Sequence, residues 1–495
     1  MRKKIFLYLI LALVPLCISS LFLMLRTPAQ SLLTAMPAWN DEDFYYNQIK
    51  SVLMYGHPLG YYGYEGSHAM FGNFGAHGFI IMIPYVIFCG IFGLRLNSIT
   101  LLNNILLCIS VLVYELLFKP SCKKVILFIM LISSPMVVFY TNTSMMEAEQ
   151  YFFAITIALM MVYLDKNQKK KGIKILLTAS VFFAILCRIT WSVLLFPLIL
   201  ILIRNAKKIP NIVKWILAGA GSVTGCIIGY IISHLFSAPY FTGGYIMEAY
   251  IAALKTGISM QKLKNLIEIA CDGVIYALQH FDAIWMNVSR DYVIAIGIIA
   301  LVYWIANRKK EMSYIPIIVL GGFAAGIFGF YCGGAIAIRH LYPAALFAVV
   351  YIFASLKNEK MKYAIYVIIA AFAVCTFVLQ TEQAYDGRDS WNTKEQQEFY
   401  ADIRVHMNEL EIIQNTSNPW DNTIGISLHN YPDRIYELFL PAGMGINYYM
   451  YFPEEKEKIP RYFMITGEEE DISELKKLGY YKVDEFYDIV VMKRN

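Results

Sequence analysis

Charge is scarce in this 495-residue chain: Asp, Glu, Lys and Arg make up 16% of it, against about a quarter in soluble globular chains. With 58% hydrophobic residues, that shortage excludes a soluble globular protein and leaves a polytopic membrane protein. Cysteine patterning is missing as well. The nine cysteines contain no CxxC pair and mostly fall in apolar runs, which excludes a disulfide framework and a cysteine-based zinc site. The apolar run after Arg2, Lys3 and Lys4 lacks a small-x-small cleavage signal, so it is expected to remain as an anchor. There is no internal repeat, no low-complexity tract and no soluble nucleotide-sugar-binding unit. The formal net charge of +5 comes from Lys and Arg packed into short loops, and it implies no nucleic-acid partner.

What is abundant is apolar sequence of spanning length. A membrane-crossing helix needs about 20 mostly apolar residues. Eleven stretches approach that measure: 5–25, 99–118, 125–140, 151–164, 173–187, 191–203, 212–235, 292–306, 314–331, 341–356 and 364–379. A further run, 79–92, is short and contains Pro84 and Gly90. Lys/Arg clusters mark cytoplasmic loops, and six of them occur, at 2–4, 119–124, 169–174, 204–208, 308–310 and 357–362. If 79–92 crossed the membrane, an odd number of crossings would separate the first two clusters and invert every later one. Read as a juxtamembrane helix, it leaves all six inside. The chain is then an α-helical multi-pass protein of the cell membrane with about eleven transmembrane helices. Its N-terminus is cytoplasmic, and loops 26–78, 141–150, 236–291 and 332–340 lie outside.

Residues 381–495 change character, with mixed charges and turn signals such as Asn430-Tyr431-Pro432-Asp433. An amphipathic helix is expected over 393–415, strands over 423–428, 461–465 and 488–493, and a short helix over 472–478. The expected organisation is therefore a transmembrane domain over 1–380 and a small extracytoplasmic α/β domain over 381–495.

The chemistry-bearing residues gather outside. Asp41, Glu42 and Asp43 sit between Trp39-Asn40 and Phe44-Tyr45-Tyr46 in the first outer loop. Acids beside a bilayer must face water, a cation or a substrate. Capping of a following helix, expected over 44–54, accounts for any one of them, and Asp43 suits it best because it directly precedes Phe44. Glu147 and Glu149 occupy the second outer link; Glu147 by itself also suits a helix start. Arg339 and His340 lie at an outer helix mouth, where an arginine either snorkels or clamps a phosphate. Arg188, in the tight turn Cys187-Arg188-Ile189-Thr190-Trp191, is a second arginine of the same kind. His57, His68 and His77 share the first loop with Glu65, in a spacing that fits no standard metal pattern. Tyr61, Tyr62, Tyr64 and Phe71 make that loop aromatic, suited to sugar stacking or to an interfacial belt.

The order of these elements resembles the GT-C glycosyltransferase superfamily, and within it the protein O-mannosyltransferase and lipid A aminoarabinose transferase branch. The first outer loop opens with Asp-Glu-x-x-Tyr (Asp41, Glu42, Tyr45), and a juxtamembrane helix follows. A second acid, Glu147, comes two spans later, and Arg339-His340-Leu341-Tyr342-Pro343 matches an arginine-aromatic-x-x-proline element. Two departures are Glu in the second acidic position, where relatives often have Asp, and Ala76-His77-Gly78 in place of a Lys-Pro or Pro-Pro element. The resemblance implies an inverting hexosyl- or pentosyltransferase that moves a sugar from a polyprenyl-phosphate donor to a glycan, lipid or protein acceptor of the cell envelope. It implies Asp41 as base, Glu42 and Glu147 as orienting or polarising acids, and Arg339 on the phosphate. Tyr45, His77, Arg188, His340 and Tyr342 would complete substrate binding. No cofactor is required by this pattern, although the acids leave room for a divalent metal. A lipid-saccharide transporter or flippase and a non-catalytic envelope-assembly scaffold are the alternative readings. The acids cluster at one face and no inverted repeat is present, which disfavours transport.

The charge parity generates a direct test. Single cysteines placed near Lys50 and Asp421 should react with an impermeant thiol reagent from outside, and cysteines at Lys123 and Lys170 should not. Outside labelling at Lys123 would mean that 79–92 crosses the membrane.

Overall fold

The computed structural model describes residues 2–26, 31–37, 41–64, 70–71, 79–206, 208–234, 287–310, 312–331, 339–379, 394–429, 435–453 and 459–494, with scattered residues between 259 and 271. Trp39, Asn40, Glu65, His68, His77, most of the outer loop expected over 236–291, and residues 332–338 and 381–393 lie outside the described residues.

The chain is mostly helical. Helices α1 (Arg2–Ala12) and α2 (Val14–Arg26) make the first apolar stretch, interrupted beside Pro15, which has no N–H to give. Then follow α3 (Glu42–Tyr55), α4 (Ile83–Phe92, after a 3-10 turn Phe79–Met82), α5 (Ser98–Phe118), α6 (Cys122–Ile132) and α7 (Pro135–Thr141). Next come α8 (Glu147–Lys166), α9 (Lys171–Cys187), α10 (Leu195–Ile203, after a 3-10 turn Ile189–Leu194) and α11 (Asn211–His234). The last apolar helices are α12 (Asn287–Ala306), α13 (Ile315–Tyr331), α14 (Tyr342–Ser355) and α15 (Glu359–Leu379). The stretch read as one span over 125–140 is thus two helices. Ser133 and Ser134 break it, and Pro135 opens α7 at a position where its missing N–H costs nothing.

Among the described residues, four helical stretches are long and apolar enough to cross a membrane: Ile5–Leu25, Ser98–Phe118, Glu147–Lys166 and Asn211–Gly229. Their environments differ. The apolar window of α8 is 89% buried, whereas that of α11 is 11% buried. A helix apolar on every side belongs inside a bundle, and α8 packs chiefly on α5 and α14. It is the central post on which the rest leans.

One sheet completes the structure, with order β2-β1-β4-β3-β5-β7-β6. Strands β3 (Thr423–Ser427), β4 (Gly445–Tyr449), β5 (Tyr462–Thr466), β6 (Tyr480–Phe486) and β7 (Ile489–Arg494) come from the C-terminal segment. The same segment supplies helices α16 (Lys394–Asn408), α17 (Ile435–Leu438) and α18 (Glu469–Lys477). The helix expected over 393–415 therefore stops earlier, and β4 and β6 are additional strands. Strands β1 (Tyr61–Tyr64) and β2 (Met70–Phe71) come from the first outer loop, and β1 pairs parallel to β4 with Gly63 opposite Asn447. The aromatic run read as a stacking surface or interfacial belt is in part a core strand. Tyr61 packs on Trp420 with ring centroids 4.6 Å apart, and the Tyr62 hydroxyl donates to the Met444 carbonyl at 3.0 Å. Glycine makes the pairing possible: a Cβ on Gly60, at φ +57°, would meet the Asn422 carbonyl oxygen at 2.2 Å.

Helix α3 lies on this sheet. Acids in its first turn suit the positive end of the helix dipole. Gly56, at φ +79°, closes it with an N–H bonded to the Val52 carbonyl at 2.9 Å. Phe44 stacks on Tyr448 at 5.2 Å. Lys50 Nζ donates to the carbonyls of Leu438 at 2.9 Å and Leu440 at 2.6 Å. Burial, helped by the nearby Arg404 charge, pushes the Lys50 ammonium down to about 7 from its usual 10.5. Between those two values the folded chain has released a proton that the unfolded chain still holds, so rising pH favours folding across that window. The thermal midpoint of the wild-type protein in detergent should therefore climb from pH 7 to pH 10 relative to that of Lys50→Met. Parallel curves would remove Lys50 as the source.

Candidate active site

The acidic turn sits at the N-terminus of α3. Asp41 is buried at the N-cap position and its side chain makes no capping bond, while its carbonyl accepts the Tyr45 N–H at 3.2 Å. Glu42, fully buried, accepts the Ser144 N–H on Oε1 at 2.7 Å. The start of α3 is thereby tied to the link between α7 and α8. Asp43 is not the cap expected from its place before Phe44. The helix begins at Glu42, two residues earlier than expected, and Asp43 is buried with Oδ2 accepting the Tyr448 hydroxyl at 2.6 Å.

The second outer link is held from beneath by α5. Asn103 Nδ2 donates to the carbonyls of Thr143 and Met145, both at 2.9 Å, and its Oδ1 accepts the Tyr85 hydroxyl at 2.7 Å. Asn104 Nδ2 donates to the Thr141 carbonyl at 3.0 Å, and Asn142 Nδ2 to the Ser19 carbonyl at 3.2 Å. Backbone that turns without water near it must find such partners. Sequence reasoning passed over both asparagines. Their signal was present in Leu101-Leu102-Asn103-Asn104-Ile105, two adjacent amides within the first turns of an expected span.

Glu147 opens α8 and Glu149 stands in its first turn, so the second acidic pair belongs to a helix start. Glu149 Oε1 accepts the Cys187 thiol at 3.6 Å, and Trp191 Nε1 donates to Gln150 Oε1 at 2.5 Å. These two bonds seat the turn 187–191 against the head of α8. From that turn the buried Arg188 guanidinium donates to Nδ1 of the buried His340. His340 lies in the 3-10 turn Arg339–Leu341 that leads into α14. Tyr342 follows, packed on Tyr140 with ring centroids 6.1 Å apart.

Of the residues singled out in the sequence, the structure ties Glu42, next to Asp41, to the link that leads into Glu147, and joins Arg188 to His340, two residues before Tyr342. Tyr45 is buried in the first turn of α3. Arg339 opens its 3-10 turn, but its side chain is outside the described residues, as is His77. His57 is exposed and its ring bonds the Pro58 carbonyl, away from the acids. Among the described residues no group of three or more His, Cys, Asp or Glu side chains is arranged to hold a metal ion.

Among the described residues, Gln150 Nε2, Tyr151 Oη and Thr190 Oγ1 are buried with no hydrogen-bond partner. Each such group costs about 1–3 kcal/mol. All three can donate; Gln150 and Tyr151 stand near the start of α8, and Thr190 lies in the turn that follows Arg188. Helix starts favour an anion, and α14 begins just after His340.

The chain matches no protein-family model and no curated protein. Among solved structures it is similar to the Archaeoglobus fulgidus oligosaccharyltransferase tethered with an acceptor peptide, at 12% identity and TM-score 0.49, over 93% of this chain and 69% of that one. It is also similar to ArnT from Cupriavidus metallidurans bound to undecaprenyl phosphate, at 11% identity and TM-score 0.48, over 99% and 98% of the two chains. Both proteins are members of the GT-C superfamily.

The Glu42–Ser144 bond has a measurable consequence. Glu42→Ala strands a buried backbone N–H and should lower stability by about 1–3 kcal/mol. Glu42→Gln keeps an acceptor oxygen and should lose less. Thermal midpoints in detergent give the comparison, and equal losses in the two variants would show that the bond does not hold the link.

Proposed function

We propose that the chain is a multi-pass membrane glycosyltransferase moving a sugar from a polyprenyl-phosphate donor to a cell-envelope acceptor on the extracytoplasmic face, with inversion. One observation carries this reading: buried acids stand at the starts of α3 and α8, and the turn bearing Arg188, itself bonded to the buried His340, is seated on the head of α8. The motif resemblance to GT-C enzymes supports the same assignment. In this reading about eleven crossings place the acidic turn, the 141–150 link and the C-terminal unit outside, with 79–92 along the membrane surface.

The chemistry is a single displacement. Asp41 takes the proton of the acceptor hydroxyl, whose oxygen forms a bond to the anomeric carbon as the bond from that carbon to the phosphate oxygen breaks. The lipid phosphate leaves with its electron pair. Phosphate is already a good leaving group, so one general base is enough and no partner acid is needed, unlike glycoside hydrolysis. Arg188 and His340, with Arg339 beside them in sequence, receive the charge that grows on the phosphate. Gln150, Tyr151 and Thr190 supply further donors. Glu42 fixes the acidic turn on the 141–146 link, and Glu147 polarises the acceptor side. Tyr45 and Tyr342 line the sugar.

Reconstituted protein given a radiolabelled polyprenyl-phosphate sugar and envelope membranes should yield labelled acceptor. Label translocated without transfer would instead indicate a transporter, and neither outcome a scaffold. Asp41→Asn should cut transfer by about 10²–10⁴-fold while donor binding persists. Arg188→Lys keeps charge and loses the two-pronged donor geometry; at about 1.5–3 kcal/mol for each charged hydrogen bond, donor affinity should fall by about tenfold or more. If Asp43→Asn is dead and Asp41→Asn active, the base has been assigned two residues out of register.

A further inference from the structure

One stripe of α3 is bonded throughout to the C-terminal segment. Asp43, Asn47 and Lys50 recur at helical spacing and so share a face. Asn47 Nδ2 donates to the Glu437 carbonyl at 3.0 Å, and Lys50 reaches the carbonyls of Leu438 and Leu440. At the head of the stripe, the Tyr448 hydroxyl stands 2.6 Å from Asp43 Oδ2 and 2.5 Å from Glu437 Oε2, all three residues being buried. Tyr448 has one hydrogen to give, so the two carboxyl groups compete for it or share a second proton. Among the described residues Tyr448 is the only hydrogen-bond partner of the Asp43 carboxyl, whose Oδ1 has none. The adjacent residue in the chain, Glu42, is bonded the other way, to the membrane-side link at Ser144.

We propose that Tyr448 is a positioning residue: it fixes the first turn of α3 from the C-terminal side, and through that turn it sets where Asp41 stands. Without its hydroxyl the Asp43 carboxyl is left buried with no donor, and a charge so placed pulls its turn away from the apolar sheet face. Asp41 lies two residues away, and a displacement of about 1 Å can cost a reacting geometry on the order of a hundredfold. The effect on transfer rests on the transferase reading; the mechanical coupling does not.

Amide hydrogen exchange on the full-length protein in detergent, run beside the transfer assay, tests both. Tyr448→Phe should speed exchange over residues 42–47 by about tenfold or more, with β3 and β5 unchanged. It should lower kcat by about tenfold or more with the donor KM unmoved. Glu437→Gln keeps an acceptor for Tyr448 and leaves Asp43 its donor, so exchange and kcat should stay near wild type. Asn47→Ala, which cuts the neighbouring tie, should speed exchange over 43–50 and decides the matter if Tyr448→Phe does not fold. Wild-type exchange at α3 in the folded variants overturns the proposal, whatever the activity. Faster exchange in Tyr448→Phe, when the wild-type protein itself transfers no sugar, leaves the coupling standing and removes the transferase reading instead.

Discussion

The structure depends on a buried carboxylate finding a donor. Glu42 has no access to solvent and satisfies its Oε1 with the backbone N–H of Ser144. That requirement brings together two segments 102 residues apart. The segment it reaches is itself fixed, because Asn103 and Asn104 hold the carbonyls of 141–145 from α5, and Tyr85 holds Asn103. A chain of hydrogen bonds thus runs from α4 through α5 to the acidic turn. In a water-poor setting such bonds are costly to leave unmade, and the site is held more firmly than its loop origin suggests.

Opposite charges then come to one place because several helices begin there. The head of α8 carries Glu147 and Glu149, and bonds from Cys187 and Trp191 seat the turn bearing Arg188 against it. Arg188 meets His340 at the entrance to α14. Acids at helix starts are stabilised by the dipole, and the same helix starts favour an anionic ligand. The C-terminal unit is not a simple appendage either. It borrows β1 and β2 from the first loop and returns contacts to α3.

Composition and apolar length in the sequence were enough to identify a multi-pass helical protein with a small sheet-bearing unit at the C-terminus, and short motifs drew notice to the acidic turn, Glu147, Arg188 and His340 as candidates. Those features are local: apolar length, basic clusters and short motifs are written in neighbouring residues. What only the tertiary structure decided is non-local. That Asp43 serves Tyr448 instead of the helix cap, that Tyr61 and Tyr62 form a core strand, and that Asn103 and Asn104 carry the second link all depend on partners far along the chain. A four-residue strand such as Tyr61–Tyr64 has no period long enough to announce itself, and parallel pairing with β4 leaves no turn signal between them. A side chain's type limits which bonds it can make, but the fold alone chooses the partner, because burial makes an unmet polar group costly only once the chain has closed around it.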